Sequence, residues 1–334
     1  MDPLSHAVFG SSLTQLISDR EHRKWALLVG FGAGMAPDLD VLIRSPEDPL
    51  LFLEFHRQFT HSLFFIPFGA LIVASFFWIF LRSKIGWKKL YLYSLASIGL
   101  HGLLDAATTY GTQLLWPFTN ERFGWGLISI IDPLFTGVLL VGLILHFFTG
   151  KRMIVAATFS FACLYLVHGF IQKSKVEGLV YQLASQRGET VKRLEVKPGF
   201  ANQILWKAIY ETETEYVFDG FRKTWLSEKH YPGDRIKIFD PLADLPELKP
   251  DSQLAEDIRR FQWFSDGWVA PVTENANILG DIRFSDLPHQ AKPLWGISVD
   301  LTQQDKHVDF IQLRTNTREN WENLKRMLRG EDIQ

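Results

Sequence analysis

Residues 56–81 read HRQFTHSLFFIPFGALIVASFFWIFL, and this stretch decides the fold. Its last 20 residues, 62–81, carry no charge, and Arg82 ends the run. A helix needs about 20 mostly apolar residues to cross the hydrocarbon of a bilayer. The six residues before the run hold His56, Arg57 and His61. Such groups are costly beside a membrane span and usually mark function. Working outward, 128–148 is equally apolar, with one acid, Asp132, near its start. The stretch 153–171 holds no acid or base except His168. The stretch 90–107 is weaker, because it carries His101 and Asp105. Weaker again is 25–43, with four glycines or prolines and two aspartates at its far end. Residues 4–17 are apolar but too short to span alone.

The fold class expected is an α-helical membrane bundle of about 4–5 spans plus a short N-terminal helix, followed by a soluble α+β domain. Charge draws the boundary. The chain has 334 residues and a net charge of −2, and 47% of its residues are hydrophobic. That excludes a strongly basic nucleic-acid binder and an acidic disordered chain. Residues 1–171 hold only 23 Asp, Glu, Lys and Arg, whereas residues 172–334 hold 49. The division is therefore 1–171, a helical membrane domain, and 172–334, a soluble domain. The single cysteine, Cys163, excludes an intramolecular disulfide and a cysteine-rich zinc site. The N-terminus has no basic segment and no small-residue cleavage site, so it does not read as a secretory signal.

Lys and Arg near span ends set orientation. Arg20, Arg23 and Lys24 fall in one turn, Arg82, Lys84, Lys88 and Lys89 in a second, and Lys151 and Arg152 in a third. The rule puts all three on the cytoplasmic side of a multi-pass membrane protein, and residues 172–334 outside the cytoplasm. In that tail, alternation of apolar and polar residues predicts strands at 176–183, 191–196, 205–211, 215–221, 295–301 and 309–314. Thr212-Glu213-Thr214 reads as a hairpin turn, and 318–329 as a helix with Trp321, Leu324 and Leu328 on one face. The tail shows no nucleotide-binding glycine loop and no nucleophile elbow. Its protein partner is unknown.

Acids and histidines cluster in four motifs of the first half. These are Asp2-Pro3-Leu4-Ser5-His6, Pro37-Asp38-Leu39-Asp40, His56-Arg57-Gln58-Phe59-Thr60-His61-Ser62 and His101-Gly102-Leu103-Leu104-Asp105. His6 precedes the charged turn at Asp19 by 13 residues, and Asp38 follows Trp25 by the same 13. At ~1.5 Å rise per residue, an antiparallel helix pair brings the two to one level. His101 and Asp105 stand one helical turn apart on one face. His56, His61 and Asp132 come at the same end of their spans. Imidazole with carboxylate suits Zn, with Mn or Fe as alternatives. Seven candidate metal ligands result: His6, Asp38, Asp40, His56, His61, His101 and Asp105. They are too many for a single zinc and fit one or two divalent ions, a pair sharing a bridging carboxylate. Taken singly, each histidine reads as a buried hydrogen-bonded side chain, and Asp2 as the cap of the first helix. Their coincidence in one layer favours a metal.

In this order the four motifs resemble the bacterial membrane-bound metal-dependent hydrolase family, some of whose members are described as LexA-regulated inner-membrane proteins. The resemblance covers roughly residues 1–150. It implies a metal site at His6, Asp38, Asp40, His56, His61, His101 and Asp105, and a hydrolytic activity.

The expected reaction is attack of metal-activated water on an ester or phosphoester, with the pKa of that water lowered from 15.7 to about 7. Asp40 or Asp105 is the candidate general base, and Arg57 the candidate phosphate binder. A site at the membrane surface points to a lipid-like substrate drawn from the bilayer. Two rival functions use the same residues. One is a metal-ion transporter, although the ligands pool at one level instead of lining a path. The other is a non-catalytic membrane protein with a structural metal and an outer binding domain.

Overall fold

A computed structural model describes residues 1–315 and 317–333. The chain divides into two compact units. The first holds residues 1–42, 55–171 and 200–202, and the second holds 43–54, 172–199 and 203–334.

The helices, in chain order, are α1 (Pro3–Ile17), α2 (Arg23–Met35), α3 (Leu51–Phe55), α4 (Ile66–Leu81), α5 (Trp87–Ala106), α6 (Pro133–Thr149) and α7 (Arg152–Gln186). In the first unit α1 is the interior helix. Asp2 caps it, accepting from Ser5 N, with Pro3 in the first turn. Val8 and Phe9 of α1 share a core with Phe135, Leu139 and Leu143 of α6 and Val155 and Ala162 of α7. On its other sides α1 meets α2 and α5 through small residues. A Cβ built on Gly10 would fall on the Ser97 side chain, and one on Gly30 against Thr14 Oγ1 at 2.3 Å. Ser97 Oγ donates to Gly30 O at 2.7 Å. Close backbone approach of this kind is how helices associate where lipid removes the hydrophobic drive.

The outer faces are inverted relative to a soluble protein. Ile72, Phe76, Ile79 and Phe80 of α4 and Leu164, Val167 and Phe170 of α7 are all exposed. A helix that is apolar on its exposed side belongs in lipid. Among the described residues, two segments are long and apolar enough to cross a membrane, Arg20–Leu42 and Arg152–Gln186. The helical turns Leu51–His61 and Ile66–Leu81 meet at 86° and make a third if they count as one broken span.

That is fewer than the about 4–5 spans expected. The reasons are length and polarity. Residues 62–65 lie outside α4, which has only 16 residues, and α6 has 17. At ~1.5 Å per residue each falls short of the ~30 Å core. Helix α5 has the length but turns Ser94, Ser97, His101 and Asp105 inward, all buried. Conversely, the stretch read as weakest, 25–43, lies in one of the two segments that qualify.

The second unit is built on two antiparallel sheets. The first has the order β1 (Arg193–Pro198), β2 (Leu205–Glu211), β3 (Glu215–Lys223) and β4 (Glu228–Lys237). Helices α8 (Pro241–Asp244) and α9 (Gln253–Phe264) follow. The second sheet runs β5 (Val269–Val272), β6 (Asn275–Asp281), β7 (Trp295–Ser298) and β8 (Phe310–Gln312), and α10 (Arg318–Arg329) closes the unit. Residues 176–183 are helical, part of α7, and not a strand. Their apolar side chains Val176, Val180 and Ala184 recur every four residues and pack on Trp206, Ala208 and Tyr210 of β2. The opposite face of β2 turns Ile209 to Phe218, Trp268 and Ile282. Strand β2 is therefore buried on both sides.

Lys207 occupies a position on that second face. It is buried, and its Nζ donates to Ser285 Oγ at 2.7 Å and Gln290 O at 2.6 Å. Burial pulls its pKa down to about 7, against the opposing pull of Asp234 and Asp281. The unfolded chain then binds the extra proton between about pH 7 and pH 10, so stability rises with pH across that window. Thermal unfolding of the second unit should shift upward from pH 7 to pH 10, by at most about 1.4 kcal/mol per pH unit for this group. Lys207→Met should reduce that slope, and an unchanged slope would contradict the assignment.

Candidate metal centre

The site lies in the first unit, where four sequence motifs meet. His6 comes from α1, Asp38 from the 3-10 turns Ala36–Leu42 after α2, and His101 and Asp105 from α5. One side-chain donor atom from each of these four lies within 4.8 Å of the other three. His61, from the turn Phe59–His61 before α4, joins them. Its Nε2 is 2.9 Å from His101 Nε2, 3.0 Å from Asp105 Oδ2 and 3.5 Å from Asp38 Oδ1. His101 Nε2 is also 3.5 Å from Asp38 Oδ1. His6 stacks on His101, ring centroids 3.7 Å apart, and its Nε2 is 3.0 Å from Asp105 Oδ1. His6, His61, His101 and Asp105 are buried.

The outer nitrogens of two histidines are committed elsewhere. His101 Nδ1 faces the Gly34 carbonyl at 2.7 Å. A carbonyl only accepts, so Nδ1 carries the proton and Nε2 presents its lone pair. His61 Nδ1 faces Asp40 Oδ2 at 3.2 Å and Thr60 Oγ1 at 2.9 Å. The same argument leaves His61 Nε2 a lone pair. Two imidazole lone pairs and the oxygens of Asp38 and Asp105 thus converge. Asp38 Oδ2, Asp105 Oδ2 and His6 Nδ1 are buried with no hydrogen-bond partner. Buried acceptors that point at one another are mutually repulsive unless a cation lies among them. The donor set therefore fits a divalent metal, and the histidine second contacts match the usual backing of metal-bound imidazoles.

The other predicted residues stand behind this group. Asp40, buried, accepts from His56 Nδ1 at 2.7 Å, Arg57 N at 3.0 Å and Thr60 Oγ1 at 2.7 Å, besides His61. It ties the 56–61 turn to the end of α2. His56 is held by that contact and stacks edge-on to Tyr110. Arg57 is buried. Its guanidinium lies 3.1 Å from Asp105 Oδ1, donates to Thr108 Oγ1 at 3.0 Å and covers the Tyr110 ring. Asp132 is outside the site. It caps α6 through Leu134 N and Phe135 N and accepts from Tyr165 Oη at 3.0 Å.

Sequence reading did not find the Gly34 carbonyl, the tight fit of Gly102, or the placement of the Met1 amino group against Asp105. A backbone acceptor leaves no signature in side-chain type. Glycine facing a histidine motif was the one available signal.

An apolar helical unit with acids and histidines turned inward defines a membrane protein. The chain belongs to the YdjM inner membrane protein family, whose profile matches residues 1–176. It is 28% identical over 140 residues to the protein YfhP of Bacillus subtilis (strain 168). It is 32% identical over 111 residues to the inner membrane protein YbcI of Escherichia coli (strain K12). These stretches cover 40% and 31% of the chain. They span 42% and 61% of the two relatives, less than two thirds of either. No solved structure matches the chain. The resemblance to membrane-bound metal-dependent hydrolases is consistent with this membership.

Gly102 tests the packing of the site. A Cβ there would lie 2.2 Å from the His61 carbonyl oxygen, whereas one on Gly99, three residues back on α5, would meet nothing within 4 Å. Gly102→Ala should destabilise the purified protein by about 1–3 kcal/mol through displacement of the His61 turn. Gly99→Ala should leave thermal unfolding unchanged or improve it, as expected for a helix interior. Equal behaviour of the two variants would refute the close approach.

Proposed function

We propose that the chain is a membrane-bound metal-dependent hydrolase. His6, Asp38, His61, His101 and Asp105 would hold the divalent ion, and Zn suits this donor mixture, with Mn or Fe as alternatives. The observation that carries the reading is the facing pair of histidines, whose Nε2 atoms are 2.9 Å apart while their Nδ1 atoms are engaged by Gly34 and Asp40. A bound divalent ion supplies water activated at neutral pH for attack on an ester or phosphoester.

The protein's own groups divide the remaining work. Asp40 fixes the tautomer of His61 and the turn that carries it, and is a positioning residue together with His56 and Thr60. With its oxygens accepting from four groups, it is poorly suited to act as base. Asp105 keeps Oδ1 on Arg57 and His6 and leaves Oδ2 for the ion or for a proton taken from water. Arg57 offsets the Asp105 charge and holds that carboxylate in place, a use of its fork that competes with phosphate binding. The apolar surroundings favour a substrate with a lipid portion. In this reading the chain crosses the inner membrane more than once, with its basic turns in the cytoplasm and residues 172–334 outside.

Elemental analysis of the purified full chain in detergent should find about one divalent ion per chain in the wild type. A folded His61→Ala, His101→Ala variant should hold none and should cleave none of the ester and phosphoester substrates the wild type turns over. Asp40→Asn should retain the ligands but bind metal about 10–100-fold more weakly. Wild-type protein that stays metal-free after incubation with Zn, Mn and Fe would end the hydrolase reading.

A further inference from the structure

A second site lies in the first unit among its basic turns. Ser18, Asp19, Arg20 and Arg23, where α1 gives way to α2, and residues 149–153, where α6 gives way to α7, wall a cleft of 910 Å³. Arg20, Arg23, Lys151 and Arg152 line it, against one carboxylate, Asp19. Asp19 is already paired with Lys89 Nζ at 2.5 Å. No ion pair joins any of the four lining cations to a carboxylate among the described residues. The cleft therefore holds unneutralised positive charge. Helix ends add little to it. Helices α2 and α7 begin there while α1 and α6 end there, so their partial charges oppose each other.

The independent observation is His146. It lies one turn before the end of α6, lines the cleft and is 2% exposed, yet neither ring nitrogen has a hydrogen-bond partner. A neutral imidazole has one donor and one acceptor, and burying both unmet is costly. Basic turns that merely orient a membrane protein require neither a cavity nor a buried imidazole. An oxyanion entering the cleft would meet the guanidinium forks of Arg23 and Arg152 and accept from the His146 ring.

We propose that this cleft binds a phosphate-bearing anion. Guanidinium groups match phosphate oxygens two at a time, which a single carboxylate or halide would not use fully. The phosphate can belong to an anionic phospholipid headgroup or to a free phosphate compound. The site is separate from the metal centre and does not depend on it.

The test uses the full chain in detergent with two probes. Native mass spectrometry compares retention of phosphatidylglycerol and phosphatidylcholine, and calorimetry titrates inorganic phosphate. The wild type should retain phosphatidylglycerol in preference to phosphatidylcholine, or bind inorganic phosphate with measurable heat. The first result assigns a lipid headgroup, and the second a free phosphate. Arg23→Gln with Arg152→Gln should weaken binding by about thirtyfold, as expected for two basic residues at a membrane surface. His146→Phe removes the unmet nitrogens without removing charge. It should weaken binding while leaving the thermal midpoint unchanged or raised, which keeps the test open if the double variant fails to fold. Equal retention of the two lipids with no heat from phosphate would overturn the proposal, as would wild-type binding by the His146→Phe protein.

Discussion

A carboxylate with no access to water must be met by charge, and Asp105 sets that demand for the helical unit. It is fully buried, and both of its oxygens face groups brought from elsewhere in the chain. Arg57 reaches it from the turn before α4, His6 from α1 and His61 from the same turn as Arg57. Taking such charges out of water costs several kcal/mol per ion, recovered only when the geometry is close and the remaining hydrogen bonds are made. Removing one member leaves the rest uncompensated, which is why the four motifs act as a unit although they lie up to 99 residues apart.

Room for this cluster comes from glycine. Gly34 and Gly102 let backbone carbonyls of His6 and His61 approach where a Cβ would collide. The same closeness lets the Gly34 carbonyl serve as the partner of His101. Irregular backbone at membrane depth survives only where protein satisfies its polar groups. In the 3-10 turns Ala36–Leu42 and Phe59–His61 the side chains of Asp40 and His61 are buried, while Leu39 and Leu42 are exposed. Their break in the helical ladder makes α4 too short to count as a span by itself, yet it also puts histidines and aspartates at angles that a continuous helix would not offer.

That an apolar helical region precedes a soluble domain with sheets was legible from side-chain type, because charge depletion is compositional, although the number of spans was not. Strands β2 and β3 and helix α10 were legible in position, although β2 and β3 are buried on both faces and in α10 Leu324 and Met327 are buried while Trp321 is exposed. Other features were not, among them β4, α9, β5 and β6, which no expected element covers. The residues 176–183 hold apolar groups at 176, 179, 180 and 183, a helical spacing that an eight-residue window mistakes for a strand. Span number depended on where helices bend, which Pro67 in the first turn of α4 hints at without fixing. The separation of Asp38 from Asp40 was also invisible. Two residues apart in one motif, one enters the group of convergent donors and the other backs His61, and only the turn geometry distinguishes them.

Arg57 combines two requirements that pull toward different amino acids. Its backbone sits at φ 68°, in the left-handed region where a side chain costs about 1–2 kcal/mol and glycine costs nothing. Its guanidinium meanwhile answers the buried charge of Asp105. Glycine would relieve the backbone and strand the carboxylate, while lysine would keep the strain and lose the fork that also reaches Thr108. Neither exchange improves one requirement without damaging the other. Residues 57 and 105 are therefore coupled, because an exchange at 57 that relieves the backbone leaves the Asp105 carboxylate without its guanidinium.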